Sequence, residues 1–363
     1  MINKLTNLFA KSSDVVGIEI NPEKINITQI VKQGQQYKLQ KNVSALMPDG
    51  VYEGGEIVDS LSLSELIKDT FQQNRISAKQ VITAVPMREA IIRIIPVPAE
   101  LDEEELKDMI MVHEAGMHLP YPREEVDLDY VKLGYFMDED GIEKVNVLLV
   151  ATKKEVTDLY LEIFEQAELK VKVLEINSFA LIRTIKEQLR QFGSQEAVVL
   201  VDIEFDSTEI AIIVEGVPQF SRTVPIGTYQ MQNALSQGMG SPDEDIALLH
   251  EINLLPDPQD GDSEIHTGTS ALLKIVGELA DELGRSINFY LNQSDGLEIA
   301  QLIVAGPGAS IQQIDEFFTQ RLNLPAMPVD PIAALAIEVG NSVPQEERSG
   351  LGIALGLGMR DLA

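Results

Sequence analysis

Apolar residues recur along this chain with two spacings. Two β-rich stretches, residues 15–31 (VVGIEINPEKINITQIV) and 198–214 (VVLVDIEFDSTEIAIIV), each run through a β-branched segment to an acidic residue, Glu19 or Asp202. Each then crosses a polar turn, residues 21–24 or 204–207, and re-enters a β-rich run. One common offset pairs Ile18 with Val201, Glu19 with Asp202, Ile20 with Ile203, Ile27 with Ile210 and Ile30 with Ile213. Strand, acid, tight turn and returning strand predict a hairpin, and its recurrence predicts two related half-domains. Acids at the ends of two facing hairpins are suited to hold Mg²⁺ on a triphosphate in the cleft between them. An acidic turn serves equally as a plain hairpin turn, so both readings stand at this point.

Helical spacing fills the intervals. Residues 61–66 (LSLSEL) start a helix with Ser62 as its cap, Glu65 closing a capping box and Leu61 stapled on Leu66. Leu66, Ile67, Thr70 and Phe71 form its inward stripe, and residues 80–86 and 90–96 read as strands. A helix capped by Asp102 is predicted to stop before Pro120, with Leu106, Ile110, His113 and Met117 on its apolar edge. Residues 126–136 alternate as a half-exposed strand, 138–141 turn, and 145–151 form a buried strand. Thr152 and Glu155 box the next helix, whose stripe is Val156, Leu159, Tyr160, Ile163 and Phe164, and residues 171–176 return as a strand. Together these predict a compact α+β insert. Beyond the second hairpin come a strand near 217–225, a helix from Thr228, a short helical stretch near 243–249 and a long helix over 269–291. A strand over 299–304 leads into Gly306-Pro307-Gly308 and a helix amino end, a source of N–H groups for phosphate or ribose oxygens. Helices over 331–339 and 350–359 complete the pattern.

Composition narrows the function classes. With 363 residues, 44% of them apolar, the chain is long enough for two domains or one bilobed molecule. A formal charge of −30 argues against a nucleic acid partner and against a polybasic membrane anchor. Without cysteine there is no thiol catalysis, disulfide or zinc–thiolate site. Residues 100–143 hold fifteen acidic residues against three basic ones. His113 reads as packing on its helix, and His118, His250 and His266 as surface, with no metal-ligand spacing among the four. The arm of residues 1–13 places Ile2, Leu5, Leu8 and Phe9 on one helical side, for packing on the body or fraying.

Several blocks then become specific. Residues 91–98 with 101–106, HLPYP at 118–122, EEVDLDY at 124–130, NVLLVATKKE at 146–155, EINSFALIR at 175–183, RTVPIG at 222–227 and GRSINFY at 284–290 occur in one order. In that order the chain resembles the PilM family of type IV pilus assembly, within the actin–Hsp70–FtsA superfamily. The resemblance implies an α/β, actin-like (ribonuclease H-like) bilobed fold, with a mixed five-stranded sheet in each lobe and an FtsA-type α+β extra subdomain. It assigns residues 14–96 to the first lobe, with 175–197 and 340–363 returning to it. Residues 97–174 become the extra subdomain and 198–339 the second lobe, whose outer part is 228–298.

The resemblance also implies an ATP site with Mg²⁺. Glu19, Asn21 and Lys24 match the first phosphate loop, Asp202, Ser207 and Thr208 the second, and Gly306 and Gly308 the adenosine loop, with Glu19 and Asp202 facing the metal. The family's Asp-x-Gly loops read here Glu19-Ile20-Asn21 and Asp202-Ile203-Glu204, and its triple glycine reads Gly306-Pro307-Gly308. Glu204 sets a negative side chain beside a negative ligand, unfavourable by about 1–4 kcal/mol unless Mg²⁺ intervenes. At most a slow ATPase is implied, alongside a nucleotide-independent scaffold and an FtsA-like filament-forming ATPase.

For partners the resemblance implies the amino-terminal cytoplasmic tail of PilN. The tail would lie in a groove between the first lobe and the extra subdomain, to which Arg93, Leu119, Tyr121 and Asp129 are assigned. Membrane association would be indirect, through PilN, on the cytoplasmic side of the inner membrane, with pilus motor ATPases and the platform protein as further partners. Such tails carry Ile-Asn-Leu-Leu-Pro, and Ile252, Asn253, Leu254, Leu255 and Pro256 spell the same pentapeptide. It reads either as an internal mimic of the partner or as the end of a helix closing a loop.

Overall fold

The computed structural model describes residues 15–34, 36–240, 246–255, 264–294, 296–339 and 343–362. The arm of residues 1–13 lies outside them. Two mixed sheets carry most of the chain. The first has the order Lys170–Ile176, Gln80–Val85, Val15–Ile20, Lys24–Gln33, Gln36–Leu46, Ile337–Glu338. Val15–Ile20 runs antiparallel to Lys24–Gln33 and parallel to Gln80–Val85. It is covered on both faces, which is why Val15–Ile18 is a continuous apolar run and not an alternation.

The second sheet has the order Val217–Val224, Thr208–Val214, Glu196–Ile203, Glu298–Ala305, Ala326–Pro328. The internal repeat is present in the backbone pairing. Ile18 faces Ile27 and Glu19 faces Asn26 in the first hairpin; Val201 faces Ile210 and Asp202 faces Glu209 in the second.

Strand pairing moves three of the expected boundaries. The first sheet has six strands because Ile337–Glu338, expected in the second lobe, pairs with Tyr37 and Lys38. A two-residue strand carries no periodicity to detect. Ala90–Pro98, expected in the first lobe, pairs instead with Glu143–Lys153, which pairs with Val126–Met137 to complete a separate three-stranded antiparallel sheet. Conversely, Lys170–Ile176 pairs with Gln80–Val85 in the first sheet. The helix Lys154–Gln166 goes with it, since Tyr160, Ile163 and Phe164 share a core with Leu63, Ile67 and Phe71.

Helix starts differ in detail. Ser60–Gln73 is capped by Asp59, whose carboxylate accepts from Ser62 N (3.0 Å) and Ser62 Oγ (2.7 Å), while Leu61 is exposed. Asp102 caps its helix as expected, and Glu105 completes a capping box with it. The helix then widens into a π turn, Met109–Glu114, which rotates the following face, so Met117 points to solvent while Leu106, Ile110 and Leu119 pack under the three-stranded sheet. Thr152 does not cap; its Oγ1 donates to Glu89 O at 2.7 Å.

One apolar cluster joins the two main sheets, with Ile82 and Ala84 on one side, Val198, Leu200 and Ile303 on the other, and Ala180, Leu181, Ile353 and Leu357 between. The helix Gly352–Met359 fits there because its backbone is bare. A Cβ on Gly356 would lie 2.0 Å from Ala180 O, and one on Gly17 2.4 Å from Gly358 N. No helix among the described residues is long and apolar enough to cross a membrane.

Candidate functional site

The two acidic hairpins face each other, but their acids are held differently. Glu19 is buried, accepting from Asn21 Nδ2 (3.3 Å) and Asn26 Nδ2 (3.2 Å). Burial raises its carboxyl, and the two amides and Lys24 partly offset that. Asn21 also closes its own turn: its Oδ1 accepts from Glu23 N (3.1 Å) and Lys24 N (2.9 Å), and its N–H donates to Lys24 O (3.1 Å). Lys24 pairs with Glu23 at 3.3 Å.

In the second hairpin the residue across from the acid is itself an acid. Asp202 is 2% exposed and neither carboxyl oxygen has a hydrogen-bond donor partner among the described residues, other than a protonated Glu204. Burial raises Asp202 and Glu204 well above the usual range; Glu209 and Glu19 push Asp202 further, and Asp202 pushes Glu204. The turn's polar groups are engaged within the protein. Glu204 N donates to Ser207 O (2.9 Å), Ser207 Oγ to Asp206 Oδ1 (3.0 Å) and Thr208 Oγ1 to Ile226 O (2.6 Å). The helix Thr228–Met239 directs its first amides at this turn, Thr228 N to Glu204 O and Tyr229 N to Phe205 O, both at 2.9 Å.

The Gly306-Pro307-Gly308 loop lies directly on the second hairpin. A Cβ on Gly306 would be 2.6 Å from Asp202 Oδ1, and one on Gly308 would be 2.3 Å from Ile203 Cγ2. Gly306 also has φ +76°, a left-handed conformation that glycine adopts freely. Pro307 has no N–H to offer a ligand. Beside the loop, Ser310 Oγ shares a 2.7 Å hydrogen bond with His250 Nδ1, so His250 is half-buried and not a surface residue; burial lowers its pKa. The side chains of His113, His118 and His266 lie outside the described residues.

A second set of contacts spans the sheets. Glu209 Oε1 accepts from Met87 N at 2.8 Å, and Arg88 Nη1 reaches Asp206 Oδ2 at 3.4 Å. Arg88 Nη2 donates to Tyr52 OH (2.5 Å) and Gly55 O (2.7 Å), which fixes the guanidinium. Burial pushes the Glu209 carboxyl up to about 7, against the opposing pull of Met87 N and Arg88. Met87, Arg88 and Glu209 were not singled out from sequence. The common offset that pairs the hairpins contains the signal for Glu209, since it sets Glu209 in the place of Asn26.

This donor set does not fit Mg·ATP. In the first turn the amides of Asn21, Glu23 and Lys24 are bonded internally, as are Glu204 N and the Ser207 and Thr208 hydroxyls in the second; Glu204 adds a carboxyl, and a Cβ on Gly306 or Gly308 would meet Asp202 or Ile203. Among the described residues no group of three or more His, Asp or Glu is arranged to hold a metal ion. Both oxygens of Glu19 are engaged by asparagine amides.

A cavity lies elsewhere. A groove of about 990 Å³ runs between Val126–Met137, an edge of the three-stranded sheet, and Lys170–Ile176, an edge of the first sheet. Phe179 and Arg183 line it from the helix Asn177–Thr184. Arg183 holds the buried Glu175 with two 2.8 Å bonds, and Arg360 adds a third at 2.6 Å. Of the four residues assigned to a partner groove, Asp129 lines this one. Arg93 is exposed on the opposite edge of the three-stranded sheet, Leu119 is in that sheet's core, and Tyr121 lies under Lys153 Nζ at 5.1 Å.

Ile252, Asn253, Leu254 and Leu255 do not line the groove. Ile252 and Leu254 are buried in the core of the second sheet. Asn253 bridges Gln312, Leu254 N donates to Gln312 O (3.3 Å) and Leu255 N to Gln313 Oε1 (3.0 Å). The segment follows the helix Ile246–Glu251; Pro256 lies outside the described residues.

Comparison with known proteins agrees with this architecture. The family model described as "Type IV pilus assembly protein PilM" matches residues 17–362. Among solved structures, one described as a PilM–PilN type IV pilus biogenesis complex superposes with a TM-score of 0.79 at 22% identity, covering 97% of this chain and 99% of that one. MreB5 of Spiroplasma citri bound to ADP gives 0.55 at 13% identity, covering 96% of each chain. The ethanolamine utilization protein EutJ from Carboxydothermus hydrogenoformans gives 0.52 at 14%, covering 99% and 96%. The fold is therefore actin-like, with mixed sheets, and the chain belongs to the PilM family of type IV pilus assembly proteins.

Proposed function

We propose that this protein is an adaptor of the pilus assembly platform that takes an extended peptide into the groove beside Glu175. In this reading the two main sheets are the cores of two lobes, and the three-stranded sheet with its π-interrupted helix is the FtsA-type extra subdomain. The carrying observation is the groove itself, which runs between two edge strands, each paired on one side only among the described residues. Edge strands offer main-chain donors and acceptors to an added strand, and pockets on either side select its side chains. The occupant is the amino-terminal tail of the PilN counterpart, by analogy with the complex named above. That tail would hold the protein at the cytoplasmic face of the inner membrane, where motor ATPases and the platform protein are the further partners.

The test is a fluorescence-anisotropy titration with a labelled synthetic PilN tail. Val131 lines the groove and is 53% exposed, so Val131→Asp changes the groove without emptying a core. It should weaken the peptide at least tenfold, while Met117→Asp, on an exposed site away from the groove, leaves affinity unchanged. Equal affinity in both variants rejects the groove as the peptide site.

A further inference from the structure

The cleft between the hairpins is arranged in the opposite sense to a triphosphate receptor. Such a receptor leaves backbone N–H groups unpaired and keeps carboxyls few. Here Asn21 Oδ1 stands where a phosphate oxygen would, taking Glu23 N and Lys24 N at 3.1 and 2.9 Å. The carbonyls of Glu204 and Phe205 do the same for the first amides of Thr228–Met239. Pro307 removes one donor from the loop, and the carboxyls of Asp202, Glu204 and Glu209 are buried nearby.

A ligand that joins two lobes contributes contacts to both. Met87 N–H on Glu209 and the Arg88 guanidinium on Asp206 make that connection from within the chain. Arg88 is held on the first-lobe side by Tyr52 OH and Gly55 O. Residues 87–89 also lead directly into Ala90–Pro98, the first strand of the three-stranded sheet. The clasp therefore sets the position of the second lobe and the root of the extra subdomain together.

We infer that this chain joins its lobes with its own groups, with no nucleotide between them: Asn21 and the Glu204–Phe205 carbonyls occupy the donors a triphosphate would use, and Met87–Arg88 clasps Asp206 and Glu209 across the cleft. The inference does not depend on the peptide groove and is read by different measurements. In the full chain, 1 mM Mg·ATP should leave the melting temperature unchanged within 1 °C. A dissociation constant of 100 µM or tighter would raise it by about 2 °C or more and overturn the inference. The clasp is tested by amide hydrogen exchange. Arg88→Ala should speed exchange at residues 87–90 at least tenfold, leave residues 147–151 in the three-stranded sheet unchanged, and not be reversed by Mg·ATP. Unchanged exchange at 87–90, or protection restored by Mg·ATP, rejects it. Should Arg88→Ala fail to fold, Asp206→Asn carries the same exchange test on a partly exposed turn.

Discussion

Glu209→Gln is the substitution with the most informative outcome. The side chain is 7% exposed, and burial pushes its carboxyl from 4.5 to about 7 in the folded protein. Between those values the native state binds more protons than the unfolded chain, so its stability falls as pH rises through the window and is level above about 7. At about 1.4 kcal/mol per pH unit, the loss attributable to this one group is about 3 kcal/mol. Glutamine keeps the oxygen that accepts from Met87 N but cannot ionise. The variant should match the native protein at pH 5 and exceed it by about 3 kcal/mol at pH 8, and Asp202 should titrate lower because Glu209 no longer repels it. Chemical denaturation at half-unit steps from pH 5 to pH 8.5 measures the difference directly. A difference that does not change with pH would refute the reasoning, as would a variant that loses stability relative to the native protein as pH rises.

Other substitutions follow from the packing and the buried polar groups. Asn26→Ala leaves one Glu19 oxygen and Ser44 Oγ without their partner, so stability should fall by about 2 kcal/mol in denaturant unfolding. The loss should grow with pH, because the Asn26 bond is one of the groups lowering Glu19. Arg183→Ala leaves the buried Glu175 with Arg360 alone and should cost about 3 kcal/mol, with Arg183→Lys recovering part of it in the same assay. Gly356→Ala drives a methyl into Ala180 O and should lower stability by about 3 kcal/mol, visible as a lower denaturation midpoint with no change of slope.

Strong local signals in the sequence translated well into structure. The two hairpins and the helix cap at Asp102 rest on short local patterns, and local patterning fixes them. The sixth strand, Ile337–Glu338, was not legible because two residues have no period and their partner, Tyr37, lies at the far end of the sequence. The insert's limits were assigned from the resemblance, whereas strand partners set the sheets, so Ala90–Pro98 joins the three-stranded sheet and Lys170–Ile176 the first. Leu119 and Tyr121 stood out as part of a distinctive motif, but Leu119 was needed to fill the space under the π turn. The candidate site was half visible. Glu19 and Asp202 stand at the equivalent hairpin positions that the offset marks, whereas the Arg88–Asp206 contact spans 118 positions of sequence, which no window of residues contains.

The bare-backboned helix Gly352–Met359 has a consequence for biosynthesis. Thr28 Oγ1 donates to Ala354 O, a partner 326 positions later. At roughly 5–20 residues per second, a ribosome would expose the first hairpin roughly 15–65 seconds before that helix emerges. Throughout that interval the nascent amino-terminal sheet presents an uncovered apolar face, a natural client surface for holding chaperones. Completion of that core therefore waits until residues 326 positions further along the chain have been made.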